Sequence, residues 1–186
     1  MPNVRARILQ ISDLHFGAGV GKGLKERVRQ IVSEVCPDLL VVSGDLVNQP
    51  APWLMKRAAA FVDSLRAACD KPVRVMVVPG NHDYKFYGNV GLRRLTRVPY
   101  HVYFRNGSLG SWRSRFVSYL GLAANALWPL GKQLRDAVQV EDLPELGITV
   151  FGFDSTSLGE MMAAGKIEAS SFLELHQQWE EMRKDP

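Results

Sequence analysis

The feature that most constrains this chain is an alternation of buried strand and amphipathic helix through its first half. Arg7 to Ser12 (RILQIS), Asp38 to Ser43 (DLLVVS) and Val73 to Val78 (VRVMVV) are short apolar runs rich in β-branched residues, the signature of strands covered on both faces. Between them, Leu24, Val28, Ile31, Val32 and Val35 recur on a helical period, and Leu54, Ala58, Phe61, Val62 and Leu65 repeat the pattern. Strand, helix, strand, helix, strand requires right-handed crossovers and a parallel sheet, so the fold class is α/β. Ile148 to Phe153 (ITVFGF) reads as a further strand, and Ser171 with Glu174 as a capping box opening a last helix with Phe172, Leu175, Trp179 and Met182 on one face.

The loops after the strands carry the chemistry. Asp13-Leu14-His15 follows the first strand, Gly44-Asp45 the second, and Gly80-Asn81-His82-Asp83 the third. Ligands of open parallel sheets bind outside the carboxyl ends of the strands, so these loops must converge on one edge. The carboxylates gathered there repel one another unless a cation neutralises them, and Asp, His and Asn are suitable donors to a divalent metal. The Asp-x-His pair is expected to offer two donors to one ion, because alternate residues of an extended segment point the same way. Each motif alone is weak. Together, each directly behind a buried strand, they form a specific signal.

With those residues in view, ILQISDLHFG, PDLLVVSGDLVN and VVPGNHDY resemble the calcineurin-like metallophosphoesterase family over roughly Ile8 to Asp83, with a looser echo at Phe151 to Thr156 (FGFDST). The closest likeness is to its bacterial branch of cyclic-nucleotide phosphodiesterases and UDP-diacylglucosamine hydrolases. The resemblance implies a four-layer α/β/β/α sandwich holding two divalent metal ions, manganese, iron or zinc. It implies that Asp13 and His15 bind the first ion, that Asp45 bridges both, and that Asn81 binds the second and touches substrate phosphate. His82 would be the general acid, with Asp83 holding its ring. The activity implied is hydrolysis of a phosphomonoester or phosphodiester. The family's later ligands, a strand-end histidine and a Gly-His-x-His motif, have no counterpart here. His101 and His176, the remaining histidines, do not follow strands. The expectation is a single domain over 1–186, incomplete at its C-terminus, which holds the second metal poorly and turns over slowly.

Charge adds a second theme. Of 23 Lys and Arg, nine lie between Lys85 and Arg135 with no acidic residue among them, so this segment carries the whole excess of positive charge in a chain of net +4. It falls within a long basic stretch, 84–146, read as a cap-like insertion at the edge of the site. Arg93, Arg94 and Arg97 are its candidate substrate-binding residues. Trp112, Phe116, Tyr119, Leu120, Ala123 and Leu127 give it an amphipathic helical pattern. Such a segment suits a nucleotide-like or amphiphilic phosphate ester and peripheral contact with an anionic membrane. No stable nucleic-acid partner is expected. A competing reading is a non-catalytic relative that uses the basic segment to bind lipid or nucleic acid.

Several classes are disfavoured. Cys36 and Cys69 have no CxxC spacing, so neither a disulfide partner nor a cysteine zinc site is expected. Met1 to Leu9 lacks a signal-peptide core, and the longest uncharged run, Phe116 to Gly131, is short for a bilayer span. The location expected is cytoplasmic, peripheral at the inner membrane surface. Gly17 to Gly23 (GAGVGKG) fails as a P-loop, because its spacing is wrong and Gly23 stands where Ser or Thr should bind magnesium.

Overall fold

The computed structural model describes residues 6–19, 21–84, 97–105, 138–156, 167 and 169–184. Strands β1 (Ile8–Ile11), β2 (Leu39–Ser43) and β3 (Arg74–Val78) form a parallel sheet in that order, joined by helices α1 (Lys22–Val35) and α2 (Pro52–Arg66). The expected strands are each trimmed by a residue or two at their ends. α2 starts on Pro52, whose fixed φ suits the first helical turn, and buries Leu54, Met55, Ala58, Ala59, Phe61, Val62 and Leu65. α1 is less deeply seated: Val32 is fully buried, whereas Leu24 at its start is 56% exposed.

Alternation along the strands divides the core in two. Leu40 and Val42 of β2 and Val77 of β3 face α1 and α2, packing with Val32, Met55, Ala58 and Leu65. Leu39 and Met76, with Val41 and Val78 beside them, face the other way, toward Leu143, Leu146 and Val150. Those last residues belong to a second, antiparallel pair, β4 (Val138–Leu143) and β5 (Ile148–Phe153), linked by a 3-10 turn at Pro144–Leu146. Gly152 makes the close approach. A Cβ there would lie 2.7 Å from Val78 Cγ2 and 2.9 Å from the Met76 sulfur, so the β5 backbone packs directly on the side chains of β3. Phe151 and Phe153, one residue either side, point outward to Trp179 and Phe172 of the last helix, with ring centroids at 6.0 and 5.6 Å.

That helix, α5, spans Ala169–Lys184. It begins before Ser171, so the expected capping box is wrong. Ser171 lies fully buried inside the first turn, with no hydrogen-bond partner for its hydroxyl among the described residues. The sequence signal failed because Ser-Ser-x-x-Glu fits a helix interior as readily as a cap.

The reading of 84–146 as one long insertion needs a similar correction. Val138–Leu143 is a strand, missed because its apolar positions alternate with Gln139, Glu141 and Asp142. Residues 97–105 form two short helical turns, α3 being the turn Asn81–Tyr84 before them and α4 Val98–Tyr100. Tyr100 is fully buried and donates its hydroxyl hydrogen to the Val77 carbonyl at 2.7 Å, on the outer edge of β3. The Gln139 side chain donates to the same carbonyl. The Trp112-to-Leu127 helical pattern lies outside the described residues.

At the amino ends of the strands Asp38 acts as a clip. Its carboxylate accepts the Arg7 amide at 2.8 Å and pairs with the Lys71 ammonium. The Lys71 hydrogen bond first, and the Arg7 amide second, hold this carboxyl below the ordinary aspartate range.

Candidate metal centre

The carboxyl ends of β1, β2 and β3 do converge. Beyond the regular strands, backbone pairing continues through the first two loops: the Asp13 amide bonds the Gly44 carbonyl at 3.1 Å, His15 bonds Asp45 at 2.9 Å and Phe16 bonds Leu46 at 2.9 Å. A parallel bridge joins Phe16 to Val47. This ladder fixes Asp13 and His15 in register against Asp45. Phe16 and Leu46 anchor it, both buried under α2 and its neighbours.

One ligand atom from each of Asp13, His15 and Asp45 lies within 4.8 Å of the others. His15 Nε2 stands 3.6 Å from Asp13 Oδ1 and 4.0 Å from Asp45 Oδ2, too far for good hydrogen bonds but fitting for donors around a shared cation. The exposure is graded: Asp13 is 66% open at the side chain, His15 27% and Asp45 18%. All three have left-handed backbones, with φ of 57° at Asp13, 39° at His15 and 52° at Asp45. This departs from the extended Asp-x-His segment expected from the sequence, in which alternate residues were to point the same way. Tight turns bring the donors together instead. Asp and His tolerate such φ better than most residues, yet each costs about 1 kcal/mol or more, a strain typical of functional sites.

The third loop docks on Asp45. The His82 amide donates to Asp45 Oδ1 at 3.0 Å, and the His82 ring lies edge-on to His15 with centroids 4.9 Å apart. The contact demands glycine at position 80: a Cβ there would collide with the Asp45 amide nitrogen and carboxylate. Gly44, with φ of 86°, would place a Cβ 3.0 Å from Gly80 Cα. The two glycines thus let the loops touch backbone to backbone.

Asp83 was expected against the His82 ring. In the structure it is fully buried, and its two oxygens accept backbone amides, Val47 at 3.0 Å and Gly80 at 2.9 Å. It therefore ties the second loop to the third. Burial pushes its carboxyl up to about 7, against the pull of those amides and with a smaller push from Asp45. The His82 ring meets the Asn48 carbonyl instead, Nδ1 lying 3.1 Å from that oxygen. A carbonyl only accepts, so Nδ1 carries hydrogen in this contact. Asn48 was not anticipated, since a main-chain partner leaves no mark on residue type.

Arg97 also differs from expectation. It is 2% exposed. Its guanidinium pairs with Asp154 at 3.3 Å, donates to the carbonyl and hydroxyl of Thr156 at 3.3 Å each, and stacks 4.0 Å over the Tyr84 ring. Asp154, 1% exposed, directly follows β5. A buried cation needs a buried anion, and FGFDST supplies it. Arg93 and Arg94 lie outside the described residues. His101 is buried against Tyr84, rings stacked at 6.2 Å, and His176 is exposed on α5.

Comparison with known proteins agrees with this arrangement. The calcineurin-like phosphoesterase profile matches residues 6–146, well over half of the chain. The UDP-2,3-diacylglucosamine pyrophosphatase LpxG of Chlamydia trachomatis is 36% identical over 81 residues, 44% of this chain and 23% of the relative. A Danio rerio transmembrane protein with a metallophosphoesterase domain is 32% identical over 78 residues, 42% of this chain and 17% of its own length. The uncharacterized metallophosphoesterase YkuE of Bacillus subtilis is 28% identical over 101 residues, 54% of this chain and 34% of its own. The chain thus spans between 17% and 34% of the length of these relatives. On a match across most of its sequence, this chain belongs to the calcineurin-like phosphoesterase family.

Proposed function

We propose that the chain carries the metal-binding core of a hydrolase acting on phosphoric esters, mono- or diesters. The observation that carries this is the convergence of Asp13, His15 and Asp45, three donors within 4.8 Å from loops far apart in sequence. The donor set fits a divalent cation: two carboxylate oxygens and an imidazole suit manganese, iron or zinc. Asp13 and His15 would hold the first ion, Asp45 would contribute to both sites, and Asn81 would serve the second. Metal held there would supply an activated water as nucleophile and offset charge on the phosphoryl oxygens.

The chain's own residues supply the remainder. His82 gives a proton from Nε2 to the departing ester oxygen, while Asn48 steadies Nδ1. Asp83 keeps the second and third loops in contact, so that His82 stays beside His15. Asn81 touches the substrate phosphate. The two core clusters, with α1 and α2 on one side and α5 on the other, support a four-layer α/β/β/α sandwich in one domain.

The substrate class we propose is an amphiphilic or nucleotide-like phosphate ester. The LpxG relative is named for a diacylated nucleotide sugar, and the basic stretch through 84–146, with Arg93 and Arg94, offers positive charge for an anionic head group or membrane surface. Among the described residues no helix is long and apolar enough to cross a membrane.

Manganese titration followed by electron paramagnetic resonance tests the centre, and hydrolysis of bis(p-nitrophenyl) phosphate tests the activity. Wild type is expected to bind saturably, and Asp45→Asn to lose both binding and metal-stimulated turnover. Absence of saturable binding, or turnover unaffected by Asp45→Asn, overturns the proposal.

A further inference from the structure

At the amino ends of β2 and β3, opposite the metal centre, the fold brings together the chain's two cysteines. Cys36 caps α1 and Cys69 lies in the turn after α2; both thiols are free and partly exposed. One acceptor places the Cys69 thiol beside the Cys36 backbone. The Val32 carbonyl receives the Cys36 amide at 2.8 Å and the Cys69 Sγ–H at 3.5 Å. Burial first, and the neighbouring Cys36 thiol second, push the Cys69 thiol up to about 11. Cys36 has a left-handed backbone, φ 43°, at a helix-capping position where glycine is the usual choice. Spacing along the chain gave no hint of this pair, because it is closed by the packing of α1 against α2.

We infer that Cys36 and Cys69 are a disulfide-forming pair, a modification site that ties the end of α1 to the turn after α2 and takes a low-molecular-weight disulfide as its oxidant. Cys36 gives its proton to solvent and attacks one sulfur of oxidised glutathione, whose S–S bond breaks and releases one glutathione thiolate. Cys69 then gives its proton to solvent and attacks the Cys36 sulfur of the mixed disulfide. The second glutathione leaves as thiol. The protein loses two S–H bonds and gains one S–S bond, and its two electrons reduce the glutathione disulfide. In a thiol-rich compartment the pair stays reduced, and oxidation locks the two helices. The inference does not depend on the phosphoesterase reading, since the pair and the metal loops lie at opposite ends of the strands.

The test incubates the folded chain with excess oxidised glutathione and reads intact mass, peptide linkage and melting temperature. The expected product is an unmodified-sized monomer lighter by two hydrogens, with Cys36 and Cys69 peptides linked. Its Tm should rise by roughly 5–10 °C and return on adding dithiothreitol. Cys69→Ser should stop at a single glutathione adduct on Cys36, with no rise. Glutathione adducts on wild type without an internal link, a disulfide-bonded dimer, or linkage that appears only after unfolding would each overturn the inference.

Discussion

Gly80→Ala is the smallest change that separates the loops of the centre. The added methyl meets the Asp45 backbone nitrogen and carboxylate. A flexible side-chain tip would swing away cheaply, but a backbone nitrogen cannot, and the Asp45 carbonyl is already held by the His15 amide. The second and third loops must therefore part. Overpacking of this kind costs about 1–3 kcal/mol. Parting the loops also breaks the His82 amide bond to Asp45, and a hydrogen bond to a charged acceptor contributes about 1.5–3 kcal/mol. The sum, roughly 3–5 kcal/mol, is a large share of a domain's stability, and the midpoint of thermal unfolding should fall by about 10 °C. Manganese affinity should fall at least about tenfold, because Asp45 moves relative to Asp13 and His15. The control is Gly23→Ala in α1, where a Cβ meets nothing within 4 Å. There the same methyl should stabilise by about 0.5 kcal/mol through helix propensity. Urea unfolding and a manganese isotherm on both variants decide the matter. A Gly80→Ala protein with wild-type stability and affinity would refute the backbone contact on which the site geometry depends.

Two further perturbations probe the scaffold. Arg97→Met removes the guanidinium from the buried Asp154 carboxylate and should cost about 3–5 kcal/mol in urea unfolding, whereas adding Asp154→Leu should recover much of that loss; additive losses would show that the pair is not coupled. Asp38 titrates lower in the folded chain than unfolded, so its contribution is present above the ordinary aspartate value near about 4 and fades as pH falls through the lowered one. Asp38→Asn should therefore cost about 0.5–1 kcal/mol at pH 7, discounted for solvent, and almost nothing at strongly acid pH; a gap independent of pH would place the effect elsewhere.

What could be read in the sequence, and what could not, divides by where the physical cause lies. β1 to β3, α1 and α2 were visible because a sheet covered on both faces forces continuous apolar runs, and a helix on a sheet forces a 3.6-residue stripe. Those causes act on every residue of an element and leave a pattern. β4 was hidden because Gln139, Glu141 and Asp142 interrupt its apolar positions. The site followed the same division. Asp13, His15 and Asp45 were legible, since a strand-end carboxylate or imidazole is a rare expense in a fold and topology alone places strand ends together. The pairing of Arg97 with Asp154 was not legible, because net charge is a sum along the chain, whereas Asp154 follows a strand far away in sequence. Charge density flags a segment as attractive to anions; it does not distinguish a ligand from a buried carboxylate of the same chain. The Asn48 carbonyl, the Gly44–Gly80 contact and the left-handed backbones are main-chain facts that many sequences share. The donors of this centre were thus written in residue types, while the geometry that makes them act together is written in hydrogen bonds of the backbone.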